Sequence, residues 1–323
     1  GRSYVYFGLP AVPTPVPTTA PSLPPTHIGF AVEGPAGGLG YVVSGAGDVN
    51  NDGIGDYMVA SPLEGSIFGR PGAGVVYVVF GSGSTSPGAV LDQITGDELK
   101  GFRVVGPTTY GSCGTSVSAA GDVNGDNAGD ILIGCPGMDV AGTSQVGVAF
   151  VIFGHADGSP FQDIDLRVIS SGVGGFVIFG AHLAGGNMGQ SVSGAGDVNG
   201  DGLDDVIVGA PFAGAGFAYV IFSQSPHDDV DLNTFTLIDD TLGFIIMGAQ
   251  AGDLAGLSVS RAGDFNGDLI GDVIVGAPSA VSAFGCAYVI FGHGTGQGFP
   301  QIDLSSPDFV IFGESAGDML GNA

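Results

Sequence analysis

The 323-residue sequence predicts an all-β protein, a β-propeller built from four-stranded antiparallel blades. Short runs rich in Val, Ile, Phe and Tyr alternate with Gly, Asp, Asn and Pro, which is typical of strands joined by turns. One loop pattern recurs four times, at separations of 74, 75 and 67 residues. Four strand-like runs accompany each loop, and repeats of this kind are typical of blades that stack radially.

Each loop lies in a hairpin of constant length. In GDVNGDGLDDVIVGAP, at 196–211, a strand ends in Gly-Asp, the loop follows, and a second strand ends in Gly-Ala-Pro. The distance from the glycine before the first strand to the residue that opens the final tripeptide is 20 residues in all four copies, as from Gly189 to Gly209. We therefore predict that each loop and its two strands form one rigid hairpin.

The other connections vary in length and are polar and rich in turn residues. Three of them contain an Ile-Asp-Leu or Val-Asp-Leu sequence, at 164–166, 230–232 and 302–304. We interpret these as loops whose apolar residue anchors them against the edge of a blade.

The chain is predicted to be a single propeller domain over 1–323. The predicted repeats are 35–106, 107–180, 181–248 and 249–313, with partial repeats at 1–34 and 314–323. A hairpin that would complete a shared terminal blade is missing, so we expect either that the chain continues beyond 323 or that a neighbouring molecule supplies it.

The first partial repeat contains two strand-like segments, 2–8 and 29–34, around a Pro/Thr-rich linker at 10–26. Its prolines predict an extended polyproline-II spacer. The alternative is an O-glycosylated stretch of a secreted protein.

The charge balance disfavours several classes of partner. The formal net charge is −26, and Lys100 is the one lysine in the sequence. Nucleic acids and anionic membranes require basic patches, so we expect neither as a partner. No run of 18 apolar residues occurs, so we predict no transmembrane segment.

Three cysteines, Cys113, Cys135 and Cys286, do not have the spacing of a metal site. We interpret each as a small buried apolar residue with a free thiol. A single disulfide between Cys113 and Cys135 is the alternative, because both fall in one repeat.

The repeated loop has the pattern D-x-N-x-D-x-x-x-D, which places side-chain oxygens at positions 1, 3, 5 and 9 and a backbone carbonyl at position 7. A hard cation that takes 6–8 oxygen ligands suits this set, and we predict Ca²⁺, about four ions with one per loop. The predicted ligands are Asp48, Asn50, Asp52, Ile54 and Asp56; Asp122, Asn124, Asp126, Ala128 and Asp130; Asp197, Asn199, Asp201, Leu203 and Asp205; and Asp264, Asn266, Asp268, Ile270 and Asp272.

The loop pattern has two alternative interpretations. An EF-hand needs a glutamate at position 12, where this chain has Val59, Ile133, Val208 or Val275 within a strand. The other alternative is a set of Asx turns without metal. Three carboxylates packed together without a cation would repel one another, which favours the metal.

With these loops and the Gly-Ala-Pro strand ends, the chain resembles the FG-GAP repeats of integrin α-subunit propellers over residues 27–323. The resemblance implies a seven-bladed ring in which Ca²⁺ loops stiffen one face and ligands or partner chains use the other. The Phe of the Phe-Gly pair is replaced at Leu39, Cys113, Met188, Ala255 and Leu320. No adjacent integrin-type domain accompanies the repeats, so integrin-type ligand binding is not carried over.

Catalytic residues are not predicted. The five histidines fall in connections, where we interpret them as solvated. The function predicted from sequence is an extracellular or cell-surface Ca²⁺-binding scaffold for adhesion or for recognition of a protein or carbohydrate. One alternative is a structural subunit of a surface filament that self-associates through the incomplete terminal blade. The other is a non-catalytic propeller attached to an enzyme domain outside this chain.

Overall fold

The computed structural model describes residues 2–6, 29–33, 38–65, 67–81, 101–155, 157, 159–181, 185–234, 241–294, 298–299, 301–307 and 309–322. Their regular secondary structure is almost entirely β-strand, with single helical turns at Ile67–Gly69, Leu166–Val168 and Ala280–Ala283. The prediction of an all-β protein with propeller-type blades is confirmed. The predicted linker at 10–26 lies outside the described residues.

The first sheet is a two-stranded antiparallel pair of β1 (Arg2–Tyr6) and β2 (Gly29–Glu33). The two strand-like segments predicted on either side of the linker therefore pair with each other.

Four larger sheets follow, and each contains four antiparallel strands that neighbour one another in chain order. Blade 1 contains β3 (Val42–Gly47), β4 (Asp56–Ser61), β5 (Val75–Val79) and β6 (Gly101–Val105). Blade 2 contains β7 (Ser116–Gly121), β8 (Asp130–Cys135), β9 (Val148–Ile152) and β11 (Gly175–Phe179). Blade 3 contains β12 (Ser191–Gly196), β13 (Asp205–Ala210), β14 (Phe217–Ile221) and β16 (Gly243–Met247). Blade 4 contains β17 (Ser258–Gly263), β18 (Asp272–Ala277), β19 (Cys286–Ile290) and β21 (Phe309–Phe312).

A fifth, parallel strand lies on the outer edge of blades 1 to 3. These strands are β10 (Ile164–Asp165), β15 (Val230–Asp231) and β20 (Ile302–Asp303), paired with β6, β11 and β16. Each short strand comes from the repeat that follows the blade it covers. Because these residues pair as strands, the interpretation of the sequences as loops is wrong. The reason is that an outer strand has unpaired N–H and C=O groups, which the two-residue strand covers.

The predicted apolar anchors of these segments are confirmed. Leu166, Leu232 and Leu304, which follow the three short strands, are 2–3 % exposed. The aspartate before each leucine accepts a hydrogen bond from the backbone N–H two residues ahead, as Asp165 does from Arg167. This Asx turn ends the short strand and directs the leucine inward.

The core consists of apolar layers between successive blades. Ile131 and Ile133 of β8 pack in a layer with Phe102 of blade 1, whereas Leu132 packs in the next layer with Val206 of blade 3. Neighbouring strand residues point to opposite faces, so both faces of this sheet are buried. β8 is therefore an apolar run after its first residue rather than an alternating strand.

The glycine of Gly-Ala-Pro is required by the next blade. A Cβ at Gly209 would lie 2.0 Å from the carbonyl oxygen of Gly256, and that same oxygen accepts a hydrogen bond of 2.7 Å from the Ser191 hydroxyl. The same arrangement joins blade 2 to blade 3 and blade 4 to Gly321. The close approach of backbones leaves no room for a side chain.

The hairpin loops turn through left-handed backbone conformations. At loop position 6, φ is 84° at Gly53, 67° at Asn127, 93° at Gly202 and 70° at Leu269. A left-handed conformation places an L-residue's Cβ close to the following carbonyl oxygen, which costs about 1–2 kcal/mol. The Leu269 side chain is 93 % exposed, so packing offsets little of this strain.

Cys113 and Cys135 form a disulfide across a sequence separation of 22 residues, with their Cα atoms 4.0 Å apart. The interpretation of these two residues as free thiols is therefore wrong. Cys113 directly precedes the inner hairpin of blade 2 and Cys135 ends β8, and the return of the hairpin brings them together. Cys286 is a buried free thiol, as predicted.

Removal of the disulfide should destabilise the protein. A cross-link that closes a loop of about 20 residues restricts the unfolded chain and contributes about 3 kcal/mol. We expect the double variant Cys113→Ala/Cys135→Ala to lose that amount of unfolding free energy in urea. Dithiothreitol should lower the stability of the wild type but not of the double variant. Equal unfolding free energies of the wild type and the double variant in the absence of reductant would contradict the prediction.

Leu269→Gly should stabilise blade 4 by about 1 kcal/mol, because glycine adopts the left-handed conformation without the Cβ contact. Thermal unfolding would measure the gain as a higher melting temperature. The matched control is Gly202→Leu at the same position of loop 3, for which we expect a loss of similar size. A neutral or destabilising Leu269→Gly would show that the leucine side chain makes a compensating contribution.

Candidate metal centres

The candidate metal centres are four equivalent loops. They join β3 to β4, β7 to β8, β12 to β13 and β17 to β18, the two innermost strands of each blade. The strand pairing shifts register one residue before each loop, at Gly47, Gly121, Gly196 and Gly263. This β-bulge turns the chain away from the ladder and allows the loop to close on its own polar groups.

The first aspartate organises the turn of each loop. In loop 3 the Asp197 carboxylate accepts the backbone N–H groups of Gly200 at 2.6 Å, Asp201 at 3.0 Å and Gly202 at 2.9 Å. Loops 2 and 4 repeat all three bonds, and loop 1 has two of them. The successive N–H groups form a concave anion-binding turn around this carboxylate.

The residues at positions 3 and 5 are held against each other. Asn199 accepts the backbone N–H of Asp201 at 2.9 Å, and its amide group donates to the Asp201 carboxylate at 2.9 Å. The same carboxylate accepts the N–H of Leu203 at 2.9 Å. All four loops contain these contacts.

The ninth-position aspartate closes the loop and ties it to the third strand of the blade. Asp205 is fully buried, and its carboxylate accepts the N–H of Val198 at 2.8 Å and of Ser223, beyond the end of β14, at 2.9 Å. Asp56, Asp130 and Asp272 make the corresponding pair of bonds and are also buried. One carboxylate thus bridges a loop and a strand that are 18 to 25 residues apart.

The negative charge of this buried carboxylate lacks a nearby positive charge in the described part of the chain. Burial raises the pKa of Asp205 to about 8, backbone hydrogen bonds oppose the rise, and the charges of Asp201 and Asp197 add to it. Burial likewise raises the pKa of Asp130 to about 8 and that of Asp56 to about 6. Among the described residues, no ion pair involves a loop aspartate. Three carboxylates around each loop therefore lack a positive partner there.

The donor set of each loop fits a hard cation. It consists of carboxylate, amide and carbonyl oxygens, the ligands preferred by Ca²⁺ or Mg²⁺. A carboxylate oxygen that accepts one backbone N–H retains a second lone pair. Within the described part of the chain, however, no three acidic, histidine or cysteine side chains are arranged as a preformed metal group. The loops match a hard cation in the chemistry of their donor atoms. The identity of the ion and the number of ions are proposals.

Hydrogen bonds join position 1 to the backbone of positions 4 to 6, position 3 to position 5, and position 9 to the N–H of position 2, as in loop 3. The role of these side chains as ligands stays a prediction. At position 7, the N–H of Ile54, Ala128, Leu203 and Ile270 donates to the aspartate at position 5. The role of their carbonyl oxygens as ligands stays a prediction.

One polar residue of the loops was not predicted to be part of a site. Asp204, at position 8 of loop 3, accepts the backbone N–H of Asp122 in loop 2 at 2.9 Å. The other three loops have glycine at this position, so the departure from the repeat is visible in the sequence. Its contact with a different blade is visible in the structure alone.

The basic side chains near the blade edges are paired with aspartates. Arg70 forms two hydrogen bonds of 2.9 Å with Asp165, which Arg167 also contacts, and Arg103 pairs with Asp163. Although burial acts to raise it, hydrogen bonds from the two arginines lower the pKa of Asp165 to about 2. The guanidinium groups of Arg70 and Arg103 hold the connection of blade 2 on blade 1.

The described histidines pack on aromatic rings and are half-buried. His155 stacks on Phe161 with ring centroids 3.8 Å apart, and His227 lies 5.1 Å from Phe153. His293 lies 5.2 Å from Phe299. The interpretation of these three as solvated loop residues is wrong, because the connections fold back onto the blade edges. His27 and His182 lie outside the described residues.

Comparisons with known proteins agree with the repeat pattern. Residues 188–221 match the family model described as FG-GAP repeat. The chain is 33 % identical to integrin alpha pat-2 of Caenorhabditis elegans over 169 residues, which is 50 % of this chain and 12 % of the relative. It is 33 % identical to integrin alpha-3 of Cricetulus griseus over 136 residues, which is 42 % of this chain and 12 % of the relative.

A third relative is of another kind. The chain is 30 % identical to phosphatidylinositol-glycan-specific phospholipase D of Bos taurus over 225 residues, 66 % of this chain and 24 % of the relative. The matches span between about one eighth and one quarter of the length of these relatives.

Within the described residues, no helix is long and apolar enough to cross a membrane. Residues 188–221 thus form an FG-GAP repeat, and the chain is similar to integrin α-chains over 42–50 % of its length.

Proposed function

We propose that this chain is an extracellular or cell-surface propeller scaffold for adhesion or recognition, in which Ca²⁺ bound at each of the four loops stabilises the blades. The observation that carries the proposal is the buried ninth-position aspartate, repeated in all four blades, with two further aspartates and no basic partner among the described residues. A bound divalent cation would supply the positive charge that these carboxylates lack.

The proposed ligands act within rigid hairpins. The aspartate at position 1 is oriented by the turn, the residues at positions 3 and 5 by each other, and the ninth aspartate by the loop and the third strand. Binding to a folded but not to an unfolded loop stabilises the folded state by mass action. The proposed role of the cation is therefore stabilisation of the scaffold.

The partner is proposed by chemical class alone. The net charge of −26 opposes nucleic acids and anionic membranes, and a protein or a carbohydrate is the proposed ligand. The similarity to integrin α-chains supports adhesion and a location outside the cell.

A second candidate function is a non-catalytic propeller attached to an enzyme domain. The observation that favours it is the similarity to phosphatidylinositol-glycan-specific phospholipase D, which covers 66 % of this chain. Under this candidate the cation loops keep the same stabilising role, and the partner is the catalytic domain.

Saturating Ca²⁺ should raise the melting temperature over that in EDTA. At a concentration 100-fold above Kd, each independent site contributes about 2.7 kcal/mol of stability. Differential scanning calorimetry would measure the shift, and isothermal titration calorimetry should count four ions per chain. Equal melting temperatures in Ca²⁺ and EDTA would contradict the proposal.

The ion count should depend on the loop ligands. Asp201→Ala, which removes the position-5 carboxylate of loop 3, should reduce the count from four to three because too few oxygens remain around that ion. The matched control is Asp228→Ala, an exposed aspartate between β14 and β15 that carries the same charge. A count that falls equally in both variants would point to non-specific attraction by net charge.

A further inference from the structure

The four loops are joined by backbone hydrogen bonds that cross from blade to blade. The residue at position 8 donates its N–H to the carbonyl oxygen of the first aspartate of the preceding loop. The three bonds are Gly129 to Asp48 at 2.8 Å, Asp204 to Asp122 at 3.1 Å, and Gly271 to Asp197 at 2.8 Å. Position 8 lies between the predicted ligands at positions 7 and 9, so each bond joins a proposed ligand of one loop to a direct neighbour of two proposed ligands in the next loop.

The bond between loops 2 and 3 has an additional side-chain contact. The Asp204 carboxylate accepts the N–H of Asp122 at 2.9 Å, so Asp204 holds the peptide groups on both sides of the Asp122 Cα. Its oxygen occupies the space in which a Cβ at Gly121 would lie, 2.1 Å away. The carbonyl oxygen of Asp204 accepts the Ser223 hydroxyl at 2.5 Å, which anchors the residue to its own blade.

We propose that Asp204 is a positioning residue that couples cation binding in loop 2 to the order of loop 3. The inference rests on the proposed function. Asp122 is the first proposed ligand of loop 2, and its backbone is held from both directions by a residue that directly precedes Asp205, the ninth ligand of loop 3. A cation that orders either loop therefore favours the other, and the coupling is reciprocal.

The test compares Asp204→Gly, Asp204→Asn and wild type in Ca²⁺ titrations followed by amide NMR. Glycine is the residue at position 8 of the other three loops, so the backbone accepts it. The N–H groups of Gly125, Gly200 and Gly267 each donate to the first aspartate of loops 2, 3 and 4, so each reports its own loop. Asp228→Gly is the matched control, since it removes the same charge from an exposed connection.

We expect Asp204→Gly to weaken Ca²⁺ binding at the Gly125 reporter about fivefold, with a smaller loss at Gly200 and no change at Gly267. Asp204→Asn should restore the affinity at Gly125 to within about twofold, because its amide oxygen can accept the same N–H. If Asp204 had a purely structural role, Asp204→Gly would lower the melting temperature in EDTA, and the loss of Ca²⁺ affinity would not be confined to loop 2.

Three results would overturn the coupling: an unchanged Gly125 midpoint in Asp204→Gly, an equal loss in Asp228→Gly, or no recovery in Asp204→Asn. A wild type that shows no Ca²⁺ response at any reporter would contradict the proposed function instead. If circular dichroism showed Asp204→Gly to be unfolded in EDTA, Asp204→Ala would take its place, with the same expected midpoints.

Discussion

The bridge made by the ninth-position aspartate is the interaction on which each blade depends. Its carboxylate accepts one N–H from the second residue of the loop and one from the end of the third strand, which lies 18 to 25 residues beyond the aspartate. A buried charge of this kind is unfavourable unless it is well hydrogen-bonded and compensated. Two backbone donors meet the first requirement in every blade, and the proposed cation would meet the second.

The same bridge explains why the hairpin length is constant whereas the connections vary. The loop, the β-bulge and the inner strands together fix the position of the ninth-position carboxylate relative to its two backbone donors. An insertion within the hairpin would therefore break both hydrogen bonds. The connections run along the outer edge of the sheets, where their fixed elements are short strands and leucine anchors. Length between these anchors can change because surface loops tolerate insertion.

Polar contacts between blades occur at both ends of the inner strands. At the end away from the loops, the serine hydroxyl at the start of the inner strand of blades 2 to 4 donates to a glycine carbonyl in the repeat that follows. At the loop end, position 8 of loops 2 to 4 donates its N–H to the first aspartate of the preceding loop. The close backbone contact at the end away from the loops needs glycine at Gly134, Gly209 and Gly276. Apolar layers then supply most of the burial between the sheets.

The sequence by itself determined the strands, the four loops and the side chains that each loop brings together, because strand alternation and turn chemistry act over a few residues. The tertiary structure alone decided which blade the Ile-Asp-Leu segments cover, that Cys113 and Cys135 pair, and that Asp204 reaches Asp122 across 82 residues. The first and third of these contacts join different blades, so their partners are set by how the blades stack, whereas the disulfide depends on how the hairpin of blade 2 returns. Spacing within one repeat therefore predicts a hairpin, whereas a contact between repeats depends on the packing of both.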